Sequence, residues 1–214
     1  MFSTLRTEII DRFTAVEAHF RQSPRTPTQV AQMSRGLVFV EVYAIWEHTI
    51  RAATNTAVAT IAGSGHRFFD LRPSLLALYL DPQLESIRTC SPDRVWEKRL
   101  ALFEQYFSRS PLPNVTRVPH DGSHFRFSQV EMIFRTLGID RAITVRRRHP
   151  QMIDEIVNHR NSIAHGHESP DAIGRRYTYG EVHNRITLMR SICLRLILVA
   201  DEYCSTPIRH RRRR

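Results

Sequence analysis

Cysteine is scarce, lysine is nearly missing, long apolar runs do not occur and strand-like alternation is rare; each shortage removes a class of protein. The three cysteines, Cys90, Cys193 and Cys204, are odd in number, widely spaced and free of any CxxC pair. That excludes a disulfide framework and a structural zinc site, and leaves ordinary thiols of a reducing compartment. No stretch approaches the roughly 18 apolar residues of a membrane span, because Ile192–Ala200 is broken by Arg195. The N-terminus interleaves Arg6, Glu8, Asp11 and Arg12 with apolar residues, so it lacks the apolar core of a secretion signal. The expectation is a cytoplasmic protein with no membrane partner. No internal repeat is visible.

What the chain has in excess is positive charge. Its 214 residues carry 31 lysines and arginines against 21 acidic residues, a formal net charge of +10. Excess cation favours polyanionic partners such as nucleic acid. Lys98 is the one lysine, and arginine is the side chain suited to bidentate phosphate contacts, although codon usage in a GC-rich genome gives the same bias. Arg209 and Arg211–Arg214 supply half of the excess from an arginine-rich tail, residues 207–214, expected to be disordered.

Apolar residues recur at helical spacing. Leu5, Ile9, Phe13, Val16 and Phe20 predict a first helix over Ser3–Gln22, ended by Pro24 and Pro27. Thr26, Pro27 and Gln29 predict the capped start of a long second helix, closed by Gly63 and Gly65. Between Leu37 and Trp46 that helix is apolar almost all round, so it is expected at the centre of the core. Shorter helices near Pro73, Pro82 and Pro92, with Ser91 as an N-cap, make an insertion over about 64–127. Within it, Asn114–Phe127 is the one place for a β-hairpin, around His120-Asp121-Gly122-Ser123. Ser128 with Glu131 caps a short helix ended by Gly138. Pro150–His165 is the next helix, and Thr178 with Glu181 caps the last, which reaches about Cys204. The whole reads as one all-α domain over residues 1–206.

The chemistry lies in Pro150–His165, PQMIDEIVNHRNSIAH, followed by Gly166. Met152, Ile153, Ile156, Val157, Ile163 and Ala164 form its apolar face, and Arg160 falls within that stripe. A buried arginine costs several kcal/mol unless partners compensate, so either the side chain snorkels out or a site is built around it. His165 ends the helix, with Gly166 placed to leave in a left-handed conformation. Five helical steps put Arg160 and His165 about 140° and about 7.5 Å apart, too far for one phosphate unless the helix ends or a partner chain contributes.

Arg160-Asn161-Ser162-Ile163-Ala164-His165 resembles the RxxxxH motif of the HEPN superfamily, in particular bacterial forms reading RNxxAHG. The lead-in Ile153-Asp154-Glu155-Ile156-Val157 is similar as well, and Gly36–Arg51, with Glu41 and Glu47 embedded, looks like the family's long early helix. The resemblance covers those two helices well and the insertion only loosely. It implies an up-and-down four-helix core that dimerises into a shared basic cleft, and metal-independent RNA cleavage leaving 2′,3′-cyclic phosphate and 5′-OH ends. Arg160 would then stabilise the phosphorane, His165 would move the proton, and Asn161 would position substrate or His165. A toxin–antitoxin or phage-defence setting, with an antitoxin or regulatory partner, is implied by resemblance alone. Related toxins controlled by adenylylation often carry tyrosine two residues past the histidine; here that position is His167.

Glu41 is the only charged residue between Leu37 and Trp46, and is expected to be buried against Arg160, or else His165. Glu47 and Asp154 are the other supporting carboxylates. Arg146, Arg147 and Arg148, with His167, are candidates for holding an RNA strand, against the plainer reading of a solvated charge run. His120, His124 and His149 read as solvent-facing loop residues. His159, His165 and His167 with Asp154 leave a metal site as an alternative, but His159 and His165 face different ways, so no metal or cofactor is expected. A non-catalytic HEPN-like module that binds RNA, nucleotides or protein is the competing class.

Overall fold

The computed structural model describes residues 1–26, 28–113, 124–144 and 146–206. The expected hairpin turn and arginine tail, and Pro27, fall outside them. The described residues form an all-α protein: α1 (Phe2–Gln22), α2 (Gln29–Ala62), α3 (Pro73–Thr89), α4 (Val95–Phe107), α5 (Phe127–Leu137), α6 (His149–Ala164), α7 (Pro170–Gly174) and α8 (Tyr179–Cys204). The chain divides into two compact units, and α2, α5 and α8 contribute to both.

The first unit comprises Met1–Ala53, Gly122–Val130 and Arg141–Val199. Its core is α1, the first part of α2, α6 and most of α8. The α1 periodicity puts Leu5, Ile9, Phe13, Val16 and Phe20 in the interior. On α2, Val38, Phe39, Val42, Tyr43, Ile45 and Trp46 are all buried, as a helix apolar on several sides must be to avoid water. α1 and α2 run antiparallel, with Glu8 on His48 at 3.0 Å and His19 on Glu41 at 3.1 Å. Phe20 stacks on Tyr179 at 4.4 Å, and Arg190 reaches Glu17 at 3.3 Å, tying α1 to α8.

Two helix starts differ from expectation. Thr28, not Thr26, caps α2: its Oγ1 accepts the Ala31 N–H at 3.2 Å. α5 opens without a Ser128–Glu131 box, because Gln129 Oε1 accepts the Arg126 N–H at 2.8 Å and Asp154 Oδ1 accepts the Phe127 N–H at 3.0 Å. The expected box at α8 forms, Glu181 Oε2 accepting from Thr178 N–H at 2.7 Å and Thr178 Oγ1 accepting from Glu181 N–H at 3.2 Å.

The short α7 has too little periodicity to be legible, and packs on α2 through glycines. A Cβ on Gly36 would lie 1.9 Å from the Pro170 carbonyl oxygen, and one on Gly174 would lie 1.9 Å from that of Gln32. Backbone meets backbone there.

The second unit comprises Thr54–Asp121, Glu131–Asp140 and Ala200–Arg214. Ile61, Phe68, Leu75 and Tyr79 are its buried centre, and the Tyr79 hydroxyl donates to the Val58 carbonyl at 2.7 Å. α3 runs straight through Pro82, so one helix stands where two starts were expected; the proline removes one backbone bond, which burial of Leu75, Leu78 and Tyr79 offsets. Ser91 precedes a single 3₁₀ turn, Pro92–Arg94, without a side-chain cap bond. α4 buries none of its own residues and exposes Trp96, Leu100, Phe103 and Phe107.

Candidate active site

α6 ends within the motif that carries Arg160 and His165. The helix stops at Ala164, and His165, at φ −93° and ψ 3°, has already left helical geometry. Gly166 follows at φ +70°, its N–H donating to the Ile163 carbonyl at 3.1 Å while the His167 N–H donates to the Ser162 carbonyl at 2.9 Å. This is the full Schellman closure that a left-handed glycine permits. It fixes the backbone at His167, which sequence left in a loosely held loop, and sets the His165 and His167 rings 6.0 Å apart. Glu168 pairs with Arg176 just beyond. Both histidines are exposed.

Arg160 neither snorkels free nor is fully buried. Its guanidinium lies over the Tyr43 ring, 4.6 Å from the centroid, and its Nη1 donates to Asn161 Oδ1 at 3.2 Å and to His124 Nδ1 at 3.3 Å. A cation over an aromatic face is held without a carboxylate to neutralise it, so its charge stays available to an anion. Tyr43 is buried, its phenol pushed up by that burial and then by the charge of nearby Glu47.

His124 is the residue sequence reading missed. It was expected in solvent; instead it is half-buried between α2 and α6, edge-on to Tyr43 at 6.3 Å and to His165 at 6.4 Å between ring centres. Burial, then the charges of Arg160 and His165, hold its imidazole below the ordinary histidine range, with Glu47 opposing. The segment after it is tied on three sides: Trp46 Nε1 donates to the Phe125 carbonyl at 2.8 Å, Arg126 Nη2 donates to Asn158 Oδ1 at 2.6 Å, and Asp154 accepts from Phe127 N–H. No local pattern could have announced this, since His124 and Arg160 are 36 positions apart.

The supporting carboxylates divide. Glu47 lies on the Tyr43 face of α2, near Tyr43 and His124, and also pairs with Arg51 at 2.9 Å. Asp154 works one step back, by anchoring the start of α5. Glu41 is a correction: its carboxylate is 37 % exposed and pairs with His19 of α1. The reason is angular, since Glu41 and Tyr43 are about 200° apart around α2 whereas Tyr43 and Glu47 are about 40° apart.

A second polar network was also unforeseen. His159 Nε2 meets the Tyr177 hydroxyl at 2.6 Å, that hydroxyl donates to Glu155, and Arg185 Nη2 and Nε clasp Glu155 at 2.9 and 3.1 Å. Phe39 packs edge-on to His159 at 4.9 Å. His159 is therefore committed to Tyr177, and Asp154 to the Phe127 amide, which separates both from His165. Among the described residues, no three His, Cys, Asp or Glu side chains are grouped to hold a metal ion.

Arg146, Arg147 and Arg148 are exposed at the opposite end of α6 from Arg160, about 17 Å along its axis. Arg146 and Arg148 line an open groove there with His149, Glu181 and Arg185. Burial pushes the Cys193 and Cys204 thiols up to about 12, so neither is a nucleophile. No described helix is long and apolar enough to cross a membrane.

A helical core with an arginine, an asparagine and a histidine closing one of its helices defines a HEPN-type protein. The family model for MAE_28990-like HEPN proteins matches residues 3–203, and the chain belongs to that family. No curated protein and no solved structure matches it.

Proposed function

We propose that this protein is a metal-independent endoribonuclease that cleaves RNA by attack of a ribose 2′-OH on the adjacent phosphate, leaving 2′,3′-cyclic phosphate and 5′-OH ends. The observation that carries the reading is Arg160, held over Tyr43 with no carboxylate on its guanidinium among its described contacts, beside His124 and Asn161 and on the same helix end as His165. Such a guanidinium can stabilise the extra negative charge of a phosphorane, and an imidazole can move the proton. By family likeness the working form is a cytoplasmic homodimer with a composite site, acting in a toxin–antitoxin or defence setting under an antitoxin or other regulatory partner. Asn161 orients the arginine and substrate, and Arg146, Arg147 and Arg148 contact the RNA strand away from the scissile bond.

The test is cleavage of labelled RNA with EDTA present. The wild type should cut, and Arg160→Ala and His165→Ala should each lower the rate by about 10²- to 10⁴-fold while remaining folded. His167→Ala should keep much of the activity. Loss of cleavage on chelation, or wild-type rates in His165→Ala, would overturn the mechanism. The groove of Arg146, Arg148 and Arg185 supports a second reading, a module that binds RNA without cutting it; RNA retained with intact ends would favour that.

A further inference from the structure

We propose that His124 is a further catalytic residue, the general base that takes the 2′-OH proton, while His165 is the general acid that protonates the leaving 5′-oxygen. This rests on the reading of the Arg160 site as a ribonuclease centre and goes beyond its arginine–histidine pair.

Cleavage by 2′-OH attack needs a proton removed at one apical oxygen of the phosphorane and another delivered at the opposite one. One histidine cannot stand at both in a single in-line step. The first unit supplies two. The His124 and His165 ring centres are 6.4 Å apart, about twice a hydrogen-bond reach of roughly 3 Å, and Arg160 Nη1 is 3.3 Å from His124. A phosphate taken by Arg160 would thus have an imidazole near each side.

The environments separate the roles. His124 is half-buried on Tyr43, with Arg160 and His165 of α6 and Arg126 of its own segment disfavouring protonation, and Glu47 of α2 the charge that opposes them. Those surroundings favour its neutral form. Arg160 donates to Nδ1 in the free protein, which places the lone pair there and the proton on Nε2. A phosphate that draws off the guanidinium frees that lone pair for the 2′-OH. The 2′-oxygen then bonds to phosphorus and its proton passes to Nδ1; the bond from phosphorus to the 5′-oxygen breaks, and that oxygen takes a proton from the imidazolium of exposed His165. The cyclic phosphate keeps the charge of the original diester, and no other reactant is required.

Because His124→Ala also removes a contact of Arg160, His124→Asn, which keeps a polar acceptor on a shorter side chain, is the paired variant. Both should lose about 10²- to 10⁴-fold in rate, with unchanged melting temperature for the asparagine variant. Their pH–rate profiles should lose the acid-side limb, whereas His165→Ala should lose the alkaline-side limb. An RNA whose scissile 5′-oxygen is replaced by sulfur needs no acid to leave, so it should restore His165→Ala and not His124→Asn. Restoration of His124→Asn instead would overturn the assignment of roles, and wild-type rates on ordinary RNA in folded His124→Asn would overturn the proposal. A wild type that does not cleave RNA overturns the ribonuclease reading itself, a distinguishable result.

Discussion

Tyr43 is a buried phenol on which a charge rests, and its two ends have separable duties. The ring face carries Arg160 and the hydroxyl lies within the field of Glu47. Tyr43→Phe should keep the platform and most of the cleavage rate, while Tyr43→Leu should lose a cation–π contact of about 0.5–2 kcal/mol, an approximately 2- to 30-fold drop in kcat/KM. Equal rates for the two variants would show that the ring does not hold Arg160. His159 makes a different prediction. Its imidazole is lowered by burial, with Glu155 opposing, so the fold holds it neutral whereas the unfolded chain protonates it at its ordinary value of about 6.5. Its contribution to stability is complete above that value and is lost as pH falls through the lowered one. The melting temperature should therefore decline below about pH 6.5, and His159→Gln, which does not titrate, should decline less steeply. Parallel curves for the two proteins would remove His159 from the acid response.

The elements that matter most to the site are α2, α6 and the short α7 that follows the motif. α2 supplies Tyr43 and Glu47, α6 supplies Arg160 and Asn161, and the Schellman closure passes the chain from His165 to α7. α7 is seated where Gly36 and Gly174 let two backbones touch. Gly36→Ala and Gly174→Ala should each cost about 1–3 kcal/mol in denaturant unfolding, because the atom opposing the new methyl is a carbonyl oxygen and not a movable side chain. An unchanged midpoint would mean that α7 can be displaced freely. The helices were legible where burial is one-sided, as in α1, or where the chain is apolar all round, as in α2. Glycine C-terminal closures were legible at α5 and α6, whereas of the expected N-terminal capping boxes only that of α8 formed. At α2 the neighbouring threonine does the work, and at α5 the cap acceptor comes from another helix, through Asp154.

The number of subunits determines whether one chain or two build each site. The poor same-helix spacing of Arg160 and His165 pointed either to a helix that ends or to a partner chain; the helix does end, at Ala164, and His124 stands within reach of the site in the same chain. A dimer is still expected from family membership. Light scattering at micromolar concentration should give twice the mass of one chain, and mixing Arg160→Ala with His165→Ala protein should restore part of the cleavage rate if each site draws on both subunits. No restoration in a proven dimer would mean that each protomer completes its own site.

Helical class, the central place of α2, the ends of α6 and α8, and the pairing of Arg160 with Asn161 and His165 in one motif can all be read from the chain's local pattern. These rest on short-range physics: periodic burial, a glycine that tolerates positive φ at position 166, and residues adjacent along one helix. Packing between helices sets which carboxylate of α2 faces the motif, where Arg160 rests, and that His124 joins it. Glu41 and Glu47 are equally acidic in sequence, and the rotation of α2 against α1 and α6 sends one to His19 and the other to Tyr43. His124 comes to the site because Trp46, Asn158 and Asp154, on two other helices, hold the backbone beside it; contacts between elements that are distant in the chain leave no local pattern to read.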